Sequence, residues 1–197
     1  MKIRTYLSAV AVILCLTLQP AFAEVLKYSF ALDGLSESPP VVTTGTGSAL
    51  VTIDTTLVTM RVEAAFSDLL GNVTAAHIHC CDFNPTTMNA GVATTTPTFT
   101  GFPAGVTSGT YDNTFDMNLA SSYRAGFITA SGGMIPQAFN ALLGGLDSGQ
   151  AYFNIHSNLY PGGEIRGFAD LIPEPTSALL ALVGIGAVAL MCRRRTI

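Results

Sequence analysis

The chain has 197 residues, of which 49% are hydrophobic and 11% are charged, and its formal net charge is −4. This composition is too apolar for a disordered chain, and the length allows one domain with short appendages. The charge is uneven, because the acidic middle of the chain carries only four basic side chains: Lys27, Arg61, Arg124 and Arg166. So few cations cannot neutralise a run of phosphates, so nucleic-acid binding is excluded.

The first 23 residues have the pattern of a secretory signal peptide. Lys2 and Arg4 precede an uncharged apolar run over residues 6–18, and the small residues Ala21 and Ala23 stand where signal peptidase cleaves. We expect cleavage after Ala23 and export of the remainder. An N-terminal membrane anchor is the weaker interpretation, because the apolar run is too short to span a bilayer.

The body of the chain, residues 24–172, is predicted to be an all-β domain: an antiparallel β-sandwich or barrel-like fold with one short helix. Apolar and polar residues alternate in three segments as in strands with one buried face: residues 26–32, 58–66 and 110–119. Further strands are expected at Ser48–Ile53, Val73–His79, Arg124–Thr129, Ala151–His156 and Glu164–Leu171. The helix is predicted at Pro136–Leu143, followed by two stopping glycines.

All three histidines of the chain lie in two predicted strands, as His77-Ile78-His79 and, much later, His156. Because residues i and i+2 of a strand share a face, His77 and His79 project together. If the two strands are neighbours, three imidazoles converge as a ligand set for Zn²⁺ or Cu²⁺. Glu164 or Asp82 is the candidate fourth ligand. The alternative is a set of polar-face histidines hydrogen-bonded to Glu164, Asn154 or the backbone.

Two neighbouring pairs leave alternatives open. Cys80 and Cys81 are the only cysteines of the body, and they can bond to each other, bond to other chains or remain thiols. As thiolate ligands beside His79 they are less favoured, because adjacent side chains of a strand diverge.

Glu164 and Arg166 share a strand face, which indicates an ion pair, made directly or through a neighbouring strand, or a polar contact to a ligand.

The C-terminus combines three signals in a fixed order. Pro173-Glu174-Pro175 precedes 17 uncharged residues, Thr176–Cys192, and then Arg193, Arg194 and Arg195. A helix over about residues 176–192 covers about 25 Å, enough to span the membrane with snorkelling arginines, and the arginines favour a cytoplasmic end. The combination closely resembles the bacterial PEP-CTERM sorting signal. That resemblance implies recognition by an exosortase-type membrane protease, cleavage near Pro173–Pro175, and release or attachment of the body at the cell surface.

The body resembles the CHRD domain named for chordin. The resemblance rests on residues 35–40, 45–49, 66–69 and 76–79 and on the segment from Ala151-Tyr152-Phe153-Asn154-Ile155-His156 through Pro161-Gly162-Gly163-Glu164-Ile165-Arg166-Gly167. The chain departs from the usual CHRD pattern after His79, where Cys80-Cys81-Asp82-Phe83 stands. The resemblance implies an exported bacterial domain that acts by binding or structure.

We therefore expect a non-enzymatic protein of the cell envelope or extracellular matrix, with an unidentified protein or polysaccharide ligand. The alternative is a metal-dependent protein, either a copper or zinc binder or a redox enzyme, that uses His77, His79 and His156. The sequence contains no nucleophile elbow, P-loop or dinucleotide fingerprint.

Overall fold

The computed structural model describes residues 25–81 and 89–173. This part contains eight strands: β1 (Val25–Asp33), β2 (Thr46–Asp54), β3 (Thr59–Ser67), β4 (Val73–His79), β5 (Gly109–Asp116), β6 (Tyr152–Ser157), β7 (Ile165–Phe168) and β8 (Asp170–Ile172). A 3₁₀ turn (Ala120–Ser122) and two helices, α1 (Ala125–Ala130) and α2 (Ile135–Asp147), lie between β5 and β6. The predicted all-β class is confirmed.

The strands form one antiparallel sheet that curls into a half-barrel. Its order is β4-β6-β7-β1-β2-β3-β5, and β8 pairs with the first half of β1. Strands β1, β2 and β3 are consecutive antiparallel neighbours, each paired over nine residues. Strand β4, by contrast, pairs with β6, which comes more than seventy residues later in the chain.

The hydrophobic core lies inside the curl, where aromatic rings from distant strands meet. The Phe99 ring is 5.3 Å from that of Phe115 in β5 and 5.7 Å from that of Phe153 in β6. The ring of Phe30 in β1 lies 6.2 Å from Phe153. Because β5 and β6 stand near opposite ends of the strand order, a single ring can touch both only if the sheet wraps around it.

The helical region differs from its prediction in two places. Residues 124–129, predicted as a strand, lie almost wholly in α1, where Phe127 and its neighbour Ile128 both pack inward. In so short a segment, apolar periodicity does not separate a strand from a helix. The predicted helix at Pro136–Leu143 is confirmed but runs on through Gly144 and Gly145 to Asp147.

The strand predictions hold with small corrections. The segment predicted as one strand at Glu164–Leu171 is divided into β7 and β8 at Ala169, whose N–H bonds to the carbonyl of Ala151. Strand β5 ends at Asp116, so Leu119 is about half exposed rather than buried, because it precedes the 3₁₀ turn and no longer follows the strand alternation.

The vicinal cysteines are joined to each other by a disulfide. They follow β4 directly, and both sulfur atoms pack against Gly145 of α2. The Cys81 sulfur also lies 3.2 Å from the carbonyl oxygen of Ala141. The disulfide therefore connects the end of β4 to the face of α2 by close packing.

No helix among the described residues is long and apolar enough to cross a membrane. The segments predicted as signal peptide (1–23) and membrane helix (about 176–192) lie outside the described residues, as do Glu174, Pro175, Arg193, Arg194 and Arg195. Of the predicted sorting residues, the structure describes only Pro173.

Candidate metal centre

A second buried layer, made of polar side chains, covers the other face of strands β4, β6 and β7. Along β6 the apolar Phe153 and Ile155 face the core, and Asn154 and His156 project on the opposite side, yet both are at least nine-tenths buried. Burial on this face comes from three loops, residues 34–45, 89–98 and 158–164, which supply backbone and side-chain partners to the polar layer.

The three histidines converge in this layer, as the sequence predicted for the case of neighbouring strands. Strand β4 pairs with β6, so that Ala75 stands opposite His156 and His77 opposite Asn154. The Nε2 atoms of His77 and His156 are 2.9 Å apart. One ring nitrogen from each of the three histidines lies within 4.8 Å of the others.

Backbone carbonyl groups decide which nitrogen of each ring faces the cluster. The Nδ1 atoms of His77, His79 and His156 lie 3.2, 2.7 and 2.9 Å from the carbonyl oxygens of Pro97, Ala90 and Pro161 respectively. A carbonyl oxygen only accepts, so each Nδ1 carries the proton and donates. Each Nε2 is therefore left with a lone pair for a ligand, which is the arrangement that outer-shell partners impose on metal-binding histidines.

The electrostatic environment keeps the three rings neutral. Burial, together with the neighbouring His156 and His79, lowers the pKa of His77 to about 3. Burial also lowers the pKa of His79, to about 4, and that of His156. Neutral imidazole is the form that binds a metal, so protons do not compete for these nitrogens at neutral pH.

The Nε2 atoms form a site that suits a cation. Two nitrogen lone pairs face each other across 2.9 Å, and the Nε2 of His79 is buried with no hydrogen-bond partner among the described residues. In a tetrahedral zinc site with Zn–N bonds near 2.05 Å, ligand nitrogens stand about 3.3 Å apart. The 2.9 Å between the Nε2 atoms of His77 and His156 is close to that spacing.

The predicted fourth ligands do not join the cluster within the described residues. Glu164 is fully buried, but its carboxylate accepts hydrogen bonds from Thr43 Oγ1 (2.7 Å), Leu70 N (2.6 Å) and Gly71 N (3.1 Å). Asp82 lies outside the described residues. The fourth position is therefore open to a water molecule or another donor.

The polar layer also contains a buried charge pair, but its members are not the two residues that the sequence predicted. Arg166 does not pair with Glu164; its Nε lies 3.7 Å from Glu37 Oε2, and its NH1 donates to Asn89 Oδ1 (2.7 Å). Burial raises the pKa of Glu37 to about 7, although the charge of Arg166 opposes this shift. Strand alternation predicted the face that Arg166 occupies. No sequence pattern indicated that Glu37, a loop residue, would pair with it there.

Family comparison assigns both parts of the chain. The CHRD domain model matches residues 28–169, well over half of the sequence. The chain belongs to the CHRD family. The PEP-CTERM protein-sorting motif matches residues 171–195, directly after this domain. No curated protein and no solved structure matches the chain significantly.

The sorting motif makes this CHRD protein an exported, envelope-sorted protein, processed by an exosortase-type system in association with the membrane. The residues that the sequence could not assign to the candidate metal centre are Pro97, Ala90 and Pro161. They act through backbone carbonyls, which every residue possesses, so no side-chain pattern could have revealed them.

Proposed function

We propose that this exported CHRD domain is a metal-binding protein of the cell envelope that holds one Zn²⁺ or Cu²⁺ ion on His77, His79 and His156. The observation that carries the proposal is the set of three Nδ1-to-carbonyl hydrogen bonds, which leaves three Nε2 lone pairs converging in a buried layer. Imidazole nitrogen is a good ligand for both metals.

Burial of the ligands favours a binding or structural role over catalysis. The side chains of His77 and His156 are only 6% and 9% exposed. A metal enclosed in this way exchanges slowly and contributes its binding free energy to the fold. The redox enzyme considered from the sequence needs substrate access to the metal, and the enclosed histidines give that role less support.

The register of the sheet separates the row of residues that contains His77 from the last described residues of the domain. The row of paired residues that begins at His77 and crosses β6 and β7 ends at Asp33 in β1. Ile172, the last residue of β8, pairs with Lys27 at the other end of β1. Six residues of strand correspond to about 20 Å. The last described residues of the domain therefore lie at the end of β1 that is remote from the histidine row.

Removing one histidine is expected to abolish stoichiometric metal binding. We predict about one equivalent of Zn²⁺ or Cu²⁺ in the exported protein after stripping and reloading at neutral pH, measured by elemental analysis. His77→Ala and His156→Ala remove one of three ligands, so their affinity falls by a factor of at least about 100. Asp112→Asn, which changes an exposed carboxylate on β5, is the control and keeps the metal.

Two outcomes contradict the proposal. One is an unmutated protein that holds less than about a tenth of an equivalent after reloading. The other is a His77→Ala variant with unchanged affinity, which would place the metal on surface groups.

Processing of the tail is a separate part of the proposal. In cells that contain the exosortase-type protease, we expect a mature product that begins at Glu24 and lacks the residues after Pro175. Intact-mass measurement checks both ends. A variant with Pro173, Glu174 and Pro175 all replaced by Ala should retain the tail. A full-length tail on the unmutated protein in that host would refute removal and leave simple anchoring.

A further inference from the structure

One aromatic residue connects the candidate metal centre to the rest of the polar layer. The ring of Tyr152 lies parallel to that of His79, at 6° between planes and 4.7 Å between centroids. The guanidinium carbon of Arg166 stands 4.8 Å from the centre of the same ring. His79 belongs to β4 and Arg166 to β7, the two strands that flank β6, so Tyr152 lies between the two.

The hydroxyl of Tyr152 holds the group that orients His79. It accepts from the backbone N–H of Ala90 (3.2 Å) and lies 3.3 Å from the carbonyl oxygen of that residue. The same carbonyl oxygen accepts from His79 Nδ1 at 2.7 Å, the shortest of the three Nδ1 contacts. Tyr152 therefore fixes both the plane of the His79 ring and the position of its hydrogen-bond acceptor.

His79 needs such support more than its neighbours do. It is the last residue of β4, and it is only partly buried. The Nε2 of His77 faces that of His156 in the adjacent strand, whereas the Nε2 of His79 has no hydrogen-bond partner in the part of the chain that the structure describes. A free imidazole exchanges the proton between its two nitrogens, so without a fixed acceptor the ring could place an N–H where a ligand lone pair is required.

We infer that Tyr152 is a positioning residue of the metal centre, which locks His79 in the Nδ1–H form with Nε2 directed at the metal. This inference rests on the proposed function, because the ion itself is held by the three histidines. Arg166 extends the support to the loop that covers the layer: it packs on Tyr152 and bonds to the carbonyl of Ser36 and to Asn89.

The test is Tyr152→Phe, which keeps the stacked ring and removes only the hydroxyl. Loss of an outer-shell partner typically reduces metal affinity by about 10–100-fold, so we expect Zn²⁺ affinity to fall in that range in competition titrations. With Co²⁺ as the probe, the visible absorption of the variant should change in shape because one ligand nitrogen is less well oriented. Tyr123→Phe is the matched control, because Tyr123 is also buried and its hydroxyl donates to a backbone carbonyl, that of Met117 (2.9 Å). It should lose comparable stability without any change in Zn²⁺ affinity or Co²⁺ absorption.

A measurement on the metal-free protein separates this inference from the proposed function. The ¹⁵N chemical shifts of the imidazole rings report which nitrogen carries the proton. We expect His79 to be in the Nδ1–H form in the unmutated protein and to become a mixture of the two forms in Tyr152→Phe, while His77 and His156 stay unchanged. If the unmutated protein binds no metal but Tyr152→Phe still converts His79 to a mixture of the two forms, only the proposed function fails. The positioning role is refuted if Tyr152→Phe leaves the ¹⁵N chemical shifts of His79 unchanged and the Zn²⁺ affinity within twofold of the unmutated value.

Discussion

Replacing Glu164 by Gln is expected to destabilise the domain by about 1–3 kcal/mol, the range for leaving a buried hydrogen-bond donor without its acceptor. Glu164 is fully buried, and its two oxygens accept from two backbone N–H groups, those of Leu70 and Gly71, and from the hydroxyl of Thr43. A Gln amide has only one acceptor oxygen, and its NH₂ group would face at least one of these donors. The loop that contains Thr43 and the loop that contains Leu70 and Gly71 would lose the carboxylate that joins them. Chemical denaturation measures the change in unfolding free energy.

The matched control is Glu63→Gln on the outer face of β3. Glu63 forms a 3.0 Å ion pair with Arg61, but both side chains are substantially exposed. Exposed ion pairs contribute about 0–1 kcal/mol, so this variant should be nearly as stable as the unmutated protein. Equal effects at positions 63 and 164 would mean that the hydrogen bonds to Glu164 do not stabilise the fold.

The effect of Glu164→Gln should depend on pH. Burial alone would raise the pKa of Glu164, but hydrogen bonds from Ser157, Thr43 and the backbone of Leu70 and Gly71 outweigh it and lower the pKa below the ordinary value of 4.5. The ionised carboxylate therefore stabilises the fold above about pH 4.5, and this contribution is lost as pH falls through the lowered pKa. The difference in unfolding free energy between the variant and the unmutated protein should be largest near pH 7 and should decrease in acid. A constant difference would exclude the carboxylate charge as the cause.

Replacing Gly145 by Ala is expected to destabilise the fold by about 3 kcal/mol, at the upper end of the range for overfilled cores. A Cβ atom at this position would overlap the sulfur atoms of both Cys80 and Cys81. A disulfide cannot move aside as a flexible side chain can, so α2 or the end of β4 must shift. Thermal or chemical unfolding of the oxidised protein measures the loss.

The neighbouring glycine gives an unusually close control. Gly144 is exposed in the same helix, and a Cβ there would meet nothing within 4 Å. Gly144→Ala should stabilise the protein by about 0.5–1 kcal/mol, because alanine loses less backbone entropy than glycine in a helix. If both substitutions shift stability in the same direction, packing of α2 against the disulfide is not the reason for Gly145.

Alternation along the chain predicted most of the sheet because it needs only local information. The apolar parity of residues 26–32 and 58–66 marks the core faces of β1 and β3, and both strands are found within about two residues of their predicted ends. The error at Arg124–Thr129 has the opposite cause. A six-residue helix buries only one or two side chains, and its pattern is too short to show a period of 3.6.

The candidate metal centre was predictable in part for the same reason. His77 and His79 share a face because strand geometry requires it. Whether His156 joins them depends on the pairing of β4 with β6, and the contacting Nε2 atoms belong to residues 79 positions apart. Glu164 and Arg166 show where strand alternation stops being informative: Glu164 lies just before β7, and each residue binds a different loop rather than the other.

From the sequence alone we could assign export and sorting, the strand faces and the shared side of His77 and His79, because each depends on residues close together in the chain. Only the tertiary structure decided that β4 lies beside β6, that three loops bury the polar face, and that backbone carbonyls direct every Nε2 into one cluster. Those features arise from contacts between distant segments, and a carbonyl group is common to all residues, so no local pattern encodes which one a histidine will meet.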